Sequence, residues 1–161
     1  MTTRVIATGG TFDKHYDEIS GNLGFTNSSL AAVIGRSRIT APVQLEELPL
    51  LDSLDMQDMD RQRILSSCRQ AAEQHIVIVH GTDTMRDTAE VLGRAGLGKT
   101  VVLTGAMIPY EIANSDALFN FGFAFGVAQT LAPDVYVAMN GQVFKWDAVH
   151  KDKAAGVFRR C

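Results

Sequence analysis

Three runs of β-branched and apolar residues constrain this chain more than anything else in it: His75–Val79 (HIVIV), Thr100–Leu103 (TVVL) and Val135–Met139 (VYVAM). They are continuous rather than alternating. A strand that is apolar on both sides needs cover on both faces, which is the situation of strands in a parallel sheet. Arg4–Ala7 reads as a further strand, and Val43–Leu48, which alternates, as another. Helical patterns lie between them. Asp58–Gln74 sets Ile64, Leu65, Cys68, Ala71 and Ala72 on one stripe, and Thr84–Ala95 sets Met85, Ala89 and Leu92 on another. Strand and helix in alternation predict a three-layer α/β/α fold around a mostly parallel, doubly wound, flavodoxin-like sheet. The 161 residues suit one domain spanning 1–161, and a domain of this size buries roughly 70% of its unfolded-chain surface.

The segment Ser115–Leu131 is unusual. Its length and alanines favour a helix, with Asn114 or Ser115 placed to cap it. Phe119 and Phe123 then fall on one face, Phe121 and Phe125 on another. A helix apolar nearly all round is covered on more than one side. Two readings stand equal: a central core helix, or a helix with one side at a subunit contact.

Composition removes several classes of function. The net charge of −3 argues against non-specific nucleic-acid binding, which needs a basic field. No apolar run reaches the roughly 20 residues of a membrane helix, and the opening residues show no signal-peptide pattern. Cys68 and Cys161 suggest no disulfide framework, so a cytoplasmic setting is expected. His15, His75, His80 and His150 lack metal-ligand spacing, so no metal is expected.

Three predicted strands end in glycines and small hydroxyl residues: Thr8-Gly9-Gly10-Thr11, His80-Gly81-Thr82-Asp83-Thr84 and Thr104-Gly105-Ala106. In an open α/β sheet, ligands bind outside the carboxyl ends of the strands. Parallel strands would bring these turns to one edge, where glycines admit a ligand close to the backbone. Each turn alone is also an ordinary turn or helix cap. Neither a phosphate loop, a dinucleotide fingerprint nor a Gly-x-Ser-x-Gly elbow is present, and no cofactor is expected.

Ile6-Ala7-Thr8-Gly9-Gly10-Thr11 and Val79-His80-Gly81-Thr82-Asp83-Thr84-Met85 resemble the two signatures of the bacterial L-asparaginases and glutaminase-asparaginases. The resemblance continues through Leu103–Pro109, Ser115-Asp116-Ala117 and Val137–Asn140 to Ala148–Lys151. It spans nearly the whole chain, but only the N-terminal domain of a family that usually has two; the usual C-terminal domain is expected to be absent. It implies hydrolysis of the side-chain amide of L-asparagine by a threonine nucleophile.

Position by position, the resemblance makes Thr11 the nucleophile. Thr82 assists proton transfer, Asp83 holds the substrate's α-ammonium and Lys151 bonds Thr82. Ser53 binds the α-carboxylate, and Gly10, Gly81 and Ala106 line the substrate. Tyr16 is the nearest match to the family's loop tyrosine, on a loop shorter and differently spaced. The base stays open between Lys151 and Tyr16. A neutral lysine would accept the nucleophile's proton, whereas a charged one would stabilise developing negative charge. Without the family match, a solvated surface lysine is the preferred reading of Lys151.

Leu54 stands where many members have glutamine after the binding serine. Together with the missing domain, this leads us to expect little or no glutaminase activity. A homo-oligomer is expected, a dimer or dimer of dimers, with no nucleic-acid or membrane partner. The alternatives are a non-catalytic domain that senses asparagine or aspartate, and a subunit supplying ammonia to a transamidation complex.

Overall fold

The strands predicted from β-branched runs form one sheet in the computed structural model, which describes residues 1–161. In chain order the elements begin with β1 (Thr3–Gly9), a 3-10 turn (Thr11–Asp13), β2 (His15–Asp17), β3 (Asn22–Gly24) and α1 (Leu30–Arg36). Then come β4 (Val43–Leu51), α2 (Asp58–Gln70), β5 (His75–Val79), α3 (Met85–Arg94) and β6 (Thr100–Thr104). The chain closes with α4 (Ala117–Thr130), β7 (Asp134–Met139), β8 (Gln142–Lys145), β9 (Val149–Asp152) and β10 (Val157–Arg160).

The main sheet runs β4-β1-β5-β6-β7-β8. Its first five strands are parallel, and β8 folds back antiparallel on β7. This is the flavodoxin-like winding, with the strand order reversing between β1 and β5. Side chains alternate between two apolar clusters of 19 and 17 buried residues, so both faces are covered to a similar extent. Ile6 faces the cluster that holds α2 and α3, while Val5 and Ala7 face the one that holds α1 and α4. The pairs β2–β3 and β9–β10 are separate two-stranded hairpins.

Several boundaries differ from the sequence reading. The helix predicted over 58–74 stops at Gln70, and Ala71 turns to extended backbone. Lys99 explains this: its buried ammonium caps the free carbonyls of Cys68 and Ala71. Ala72, predicted on the apolar stripe, is exposed as a result. Cys68 lies fully buried, and burial pushes its thiol pKa up to about 12. Asp116, rather than Asn114 or Ser115, is the N-cap residue of α4. Ser115 still accepts the Ala117 N–H at 3.0 Å, while Asn114 sits in the preceding turn at φ 63°.

The phenylalanines of α4 fall on two faces, as their spacing requires, but only one of these faces is covered within the chain. Phe121 and Phe125 are buried against the sheet, whereas Phe119 is 63% exposed and stacks on Phe123. Truncating a buried phenylalanine removes its packing and leaves a cavity. Phe121→Ala should therefore cost about 3–5 kcal/mol, measured by urea unfolding, and Phe119→Ala much less.

Candidate active site at the carboxyl edge of the sheet

The turns after β1, β4, β5 and β6 converge where the strand order reverses. Gly10 leaves β1 at φ 76°, a left-handed conformation that favours glycine. A Cβ there would run into the backbone of Gly81, which follows β5. A Cβ on Gly81 would in turn lie 2.6 Å from the Cβ and Oγ of Ser53, beyond β4. Three turns thus touch through two glycines and a serine. Thr11 and Thr82, each following one of the glycines, start from adjoining backbone.

The chemical groups gather on the second of these turns. Lys151 on β9 reaches across with its ammonium and donates to Thr82 Oγ1 and Asp83 Oδ1, both at 2.8 Å. The lysine side chain is 11% exposed and that of Asp83 33%, so the ion pair is largely sheltered on its lysine side. The Thr82 hydroxyl donates to the sulfur of Met107 at 3.7 Å. Thr11 is half-buried at the head of the 3-10 turn and enters none of these bonds.

Ser53 is 1% exposed, and its Oγ accepts the Thr84 N–H at 3.3 Å. Thr84 also donates its hydroxyl to the Ser53 carbonyl at 2.8 Å, which locks the β4 turn to the β5 turn. Ala106 is 1% exposed beside the same edge. Tyr16 stands apart. It lies on the exposed β2–β3 hairpin, is itself 55% exposed, and is tied to the chain through its backbone N–H rather than its hydroxyl.

Residues 3–157 match the family model described as Asparaginase, N-terminal. The chain belongs to this family. It is 30% identical to the L-asparaginase of Thermococcus kodakarensis over 98% of its own length and 49% of that protein's. The solved structure of that enzyme superposes with a TM-score of 0.89, over 99% of this chain and 51% of the other. It is 32% identical to L-asparaginase 1 of Escherichia coli K12, over 94% of this chain and 48% of the relative. It also resembles a component of the glutamyl-tRNA(Gln) amidotransferase of Pyrococcus abyssi, 32% identical over 86% of this chain and 33% of that protein. The chain spans about half the length of the asparaginases it matches.

The asparaginase-like edge depends on residues that the sequence reading left without a role. Asp116 accepts the N–H groups of Met107 (3.0 Å) and Ile108 (3.0 Å), shaping the turn after β6. Asn120, one turn into α4, donates to the Gly105 carbonyl at 2.9 Å and to Asp116 at 3.1 Å. Lys14 pairs with Asp52 at 2.6 Å, bridging the turns after β1 and β4, and holds the Asp52 carboxyl below its ordinary pKa. Asp13, fully buried, accepts from the Ser28 hydroxyl at 2.6 Å and the Ser29 N–H at 2.8 Å, anchoring α1. Burial raises the Asp13 pKa despite those bonds.

His80 braces the central turn from beneath. Its Nδ1 donates to the Gly81 carbonyl at 2.7 Å, which leaves Nε2 to accept the Thr88 hydroxyl at 2.7 Å. Burial pushes the pKa of the ring down to about 4 from an ordinary 6.5, so the ring is neutral at pH 7. The unfolded chain takes the proton first. Stability from this group is present above pH 6.5 and is lost as pH falls through about 4. Between about pH 7 and about pH 5 this amounts to about 2 kcal/mol. Urea unfolding at both pH values should show the wild type losing about 2 kcal/mol more than His80→Asn, in which the other titrating groups are unchanged.

Proposed function

We propose that the chain is a cytoplasmic amidohydrolase that cleaves the side-chain amide of L-asparagine to L-aspartate and ammonia, with Thr11 as nucleophile. The observation that carries this reading is the Lys151–Thr82–Asp83 cluster, set against the Gly10–Gly81 contact that brings Thr11 to the same edge. A pure binding domain has little need of two hydroxyls and a lysine held so. The reading takes residues 1–161 as one asparaginase N-terminal-type domain. Both cysteines are free thiols, in keeping with a reducing compartment, and no helix is long and apolar enough to cross a membrane.

In this mechanism the substrate's α-ammonium pairs with Asp83, whose Oδ1 is taken by Lys151, leaving Oδ2 for the substrate. The Ser53 oxygen accepts from Thr84, so its hydroxyl hydrogen remains for the α-carboxylate. Gly10, Gly81 and Ala106 let the substrate lie against the backbone. Thr11 Oγ bonds to the amide carbon, the carbon–nitrogen bond breaks, and ammonia leaves with the hydroxyl proton. Water then cleaves the ester, giving aspartate and restoring the threonine. Paired with Asp83, Lys151 supplies positive charge beside the developing oxyanion. The Thr11 proton passes through Thr82 to Lys151 only if that lysine is neutral; with Lys151 charged, Tyr16 is the base.

Purified protein should release ammonia from asparagine, and Thr11→Ala should abolish release without unfolding the chain. Thr82→Ala and Lys151→Met should each lower kcat by at least about 10²-fold. Tyr16→Phe does so only if the tyrosine is the base. Glutamine is longer by one methylene, which typically gives roughly 10–200-fold discrimination. With Leu54 beyond Ser53 few polar groups hold a shifted substrate, so glutamine turnover should be weak. Near wild-type release by Thr11→Ala would overturn the assignment. Release by the protein alone also separates this reading from a subunit that passes ammonia to a partner.

The proposal includes a homo-oligomer, a dimer or dimer of dimers, joined through α4. Its outer side presents the Phe119–Phe123 stack with exposed Gly122 and Gly126 between and beyond the rings. No charged residue lies between Ala117 and Thr130, so two copies can face each other without like-charge repulsion. Light scattering at micromolar concentration should show an assembly that Phe119→Asp disperses; a stable wild-type monomer refutes it.

A further inference from the structure

The hairpin β2–β3 follows Thr11 within a few residues and carries Tyr16, yet its own strands hold it weakly. It pairs only three residues with three, apart from the main sheet, and residues 16–24 are exposed. An isolated two-stranded hairpin is marginal in water. The stretch before it is fastened to the turn after β6 by two adjacent residues. Tyr110 donates its N–H to the Phe12 carbonyl at 3.1 Å and stacks on the Phe12 ring. Glu111 accepts the Tyr16 N–H on Oε1 at 2.7 Å and faces His15 Nδ1 with Oε2 at 2.8 Å.

The other nitrogen of His15, Nε2, faces the Asn27 carbonyl at 2.8 Å. A carboxylate and a carbonyl are acceptors only, so both ring nitrogens must donate for both bonds to exist. A neutral imidazole has one N–H; an imidazolium has two. We propose that His15 and Glu111 form a proton-dependent bracket that positions the Tyr16 hairpin, closed when His15 is protonated and loosened when it is neutral. On losing its proton, the ring turns a lone pair toward one of the two oxygens, and one fastening becomes a repulsion.

The charged surroundings agree with this geometry. Glu111 faces the ring from the turn after β6, and Asp13 lies near it from the 3-10 turn. Glu47 on β4 accepts the Ser28 N–H and adds to the negative charge around Asp13. Lys14, the adjacent cation, is committed to Asp52. The hydrogen bond to Glu111 is the main cause of a His15 pKa above the ordinary 6.5, and His15 in turn holds Glu111 below its usual value. The fastening is therefore fully present below pH 6.5 and is lost as pH rises through the folded-state pKa of His15.

The bracket acts on the hairpin whether or not the chain hydrolyses amides, and testing it needs no substrate. NMR of the intact chain gives the titration midpoint of the His15 ring and the exchange protection of the Tyr16 amide, corrected for intrinsic exchange. Protection should fall as pH rises through that midpoint. The fall should be tenfold for each unit the midpoint lies above the ordinary value. Glu111→Gln should return the midpoint toward that value and remove the pH dependence of protection. Amides of β5 and β6 in the same spectra show that the fold is intact. Constant Tyr16 protection across the wild-type titration, or a midpoint at or below the ordinary value, would overturn the proposal, and neither result requires a variant to fold.

Discussion

The backbones of Gly10 and Gly81 touch, and the site follows from that contact. It occurs where the strand order reverses, so the chain leaves β1 toward the face covered by α1 and leaves β5 toward the face covered by α3. A crevice opens between turns that depart in opposite directions. Here two residues without side chains nearly close its floor. The residues after them are forced up to the rim together. Ser53 below and the Gly105 turn at the side leave the floor no room to shift. The position of the hydroxyls is thus a property of backbone packing, set before any hydroxyl finds a partner.

Electrostatics refine that arrangement without creating it. Under the turn after β5 the His80 ring is kept neutral by burial and by the nearby charge of Arg61, while the Lys151–Asp83 and Lys14–Asp52 pairs sit where solvent reaches at least one partner. Burying an uncompensated charge under the turn would be costly. A neutral ring with both nitrogens satisfied gives the same rigidity without that penalty.

The main strands were legible because each is continuous in sequence and strongly biased in composition. The four motif residues Thr11, Thr82, Asp83 and Lys151 were legible through family resemblance, and geometry joins the last three. What escaped the sequence is what depends on distant partners. The end of α2 is set by Lys99, 28 residues beyond Ala71. The N-cap of α4 is Asp116, not Asn114 or Ser115, although its carboxylate accepts from the turn after β6 and from the Asn120 side chain rather than from a backbone N–H of α4. The short α1 and the hairpins lack the length for a periodic signal, and α1 owes its anchorage to Asp13. Tyr16 is close to Thr11 in sequence, but sequence proximity did not place its hydroxyl in the cluster.

The hairpin β9–β10 belongs to no strand ladder but its own. It is joined to the body by Val149 and Phe158 in the apolar layer and by the Phe158 N–H on Asn140 Oδ1 at 2.9 Å. Yet it delivers the lysine. The strands that shape the rim and the lysine that reaches it therefore lie on separate ladders joined through one apolar layer. If the proposed function holds, a substitution of Lys151 alone would change the charge at the rim and leave the parallel sheet beneath it unaltered.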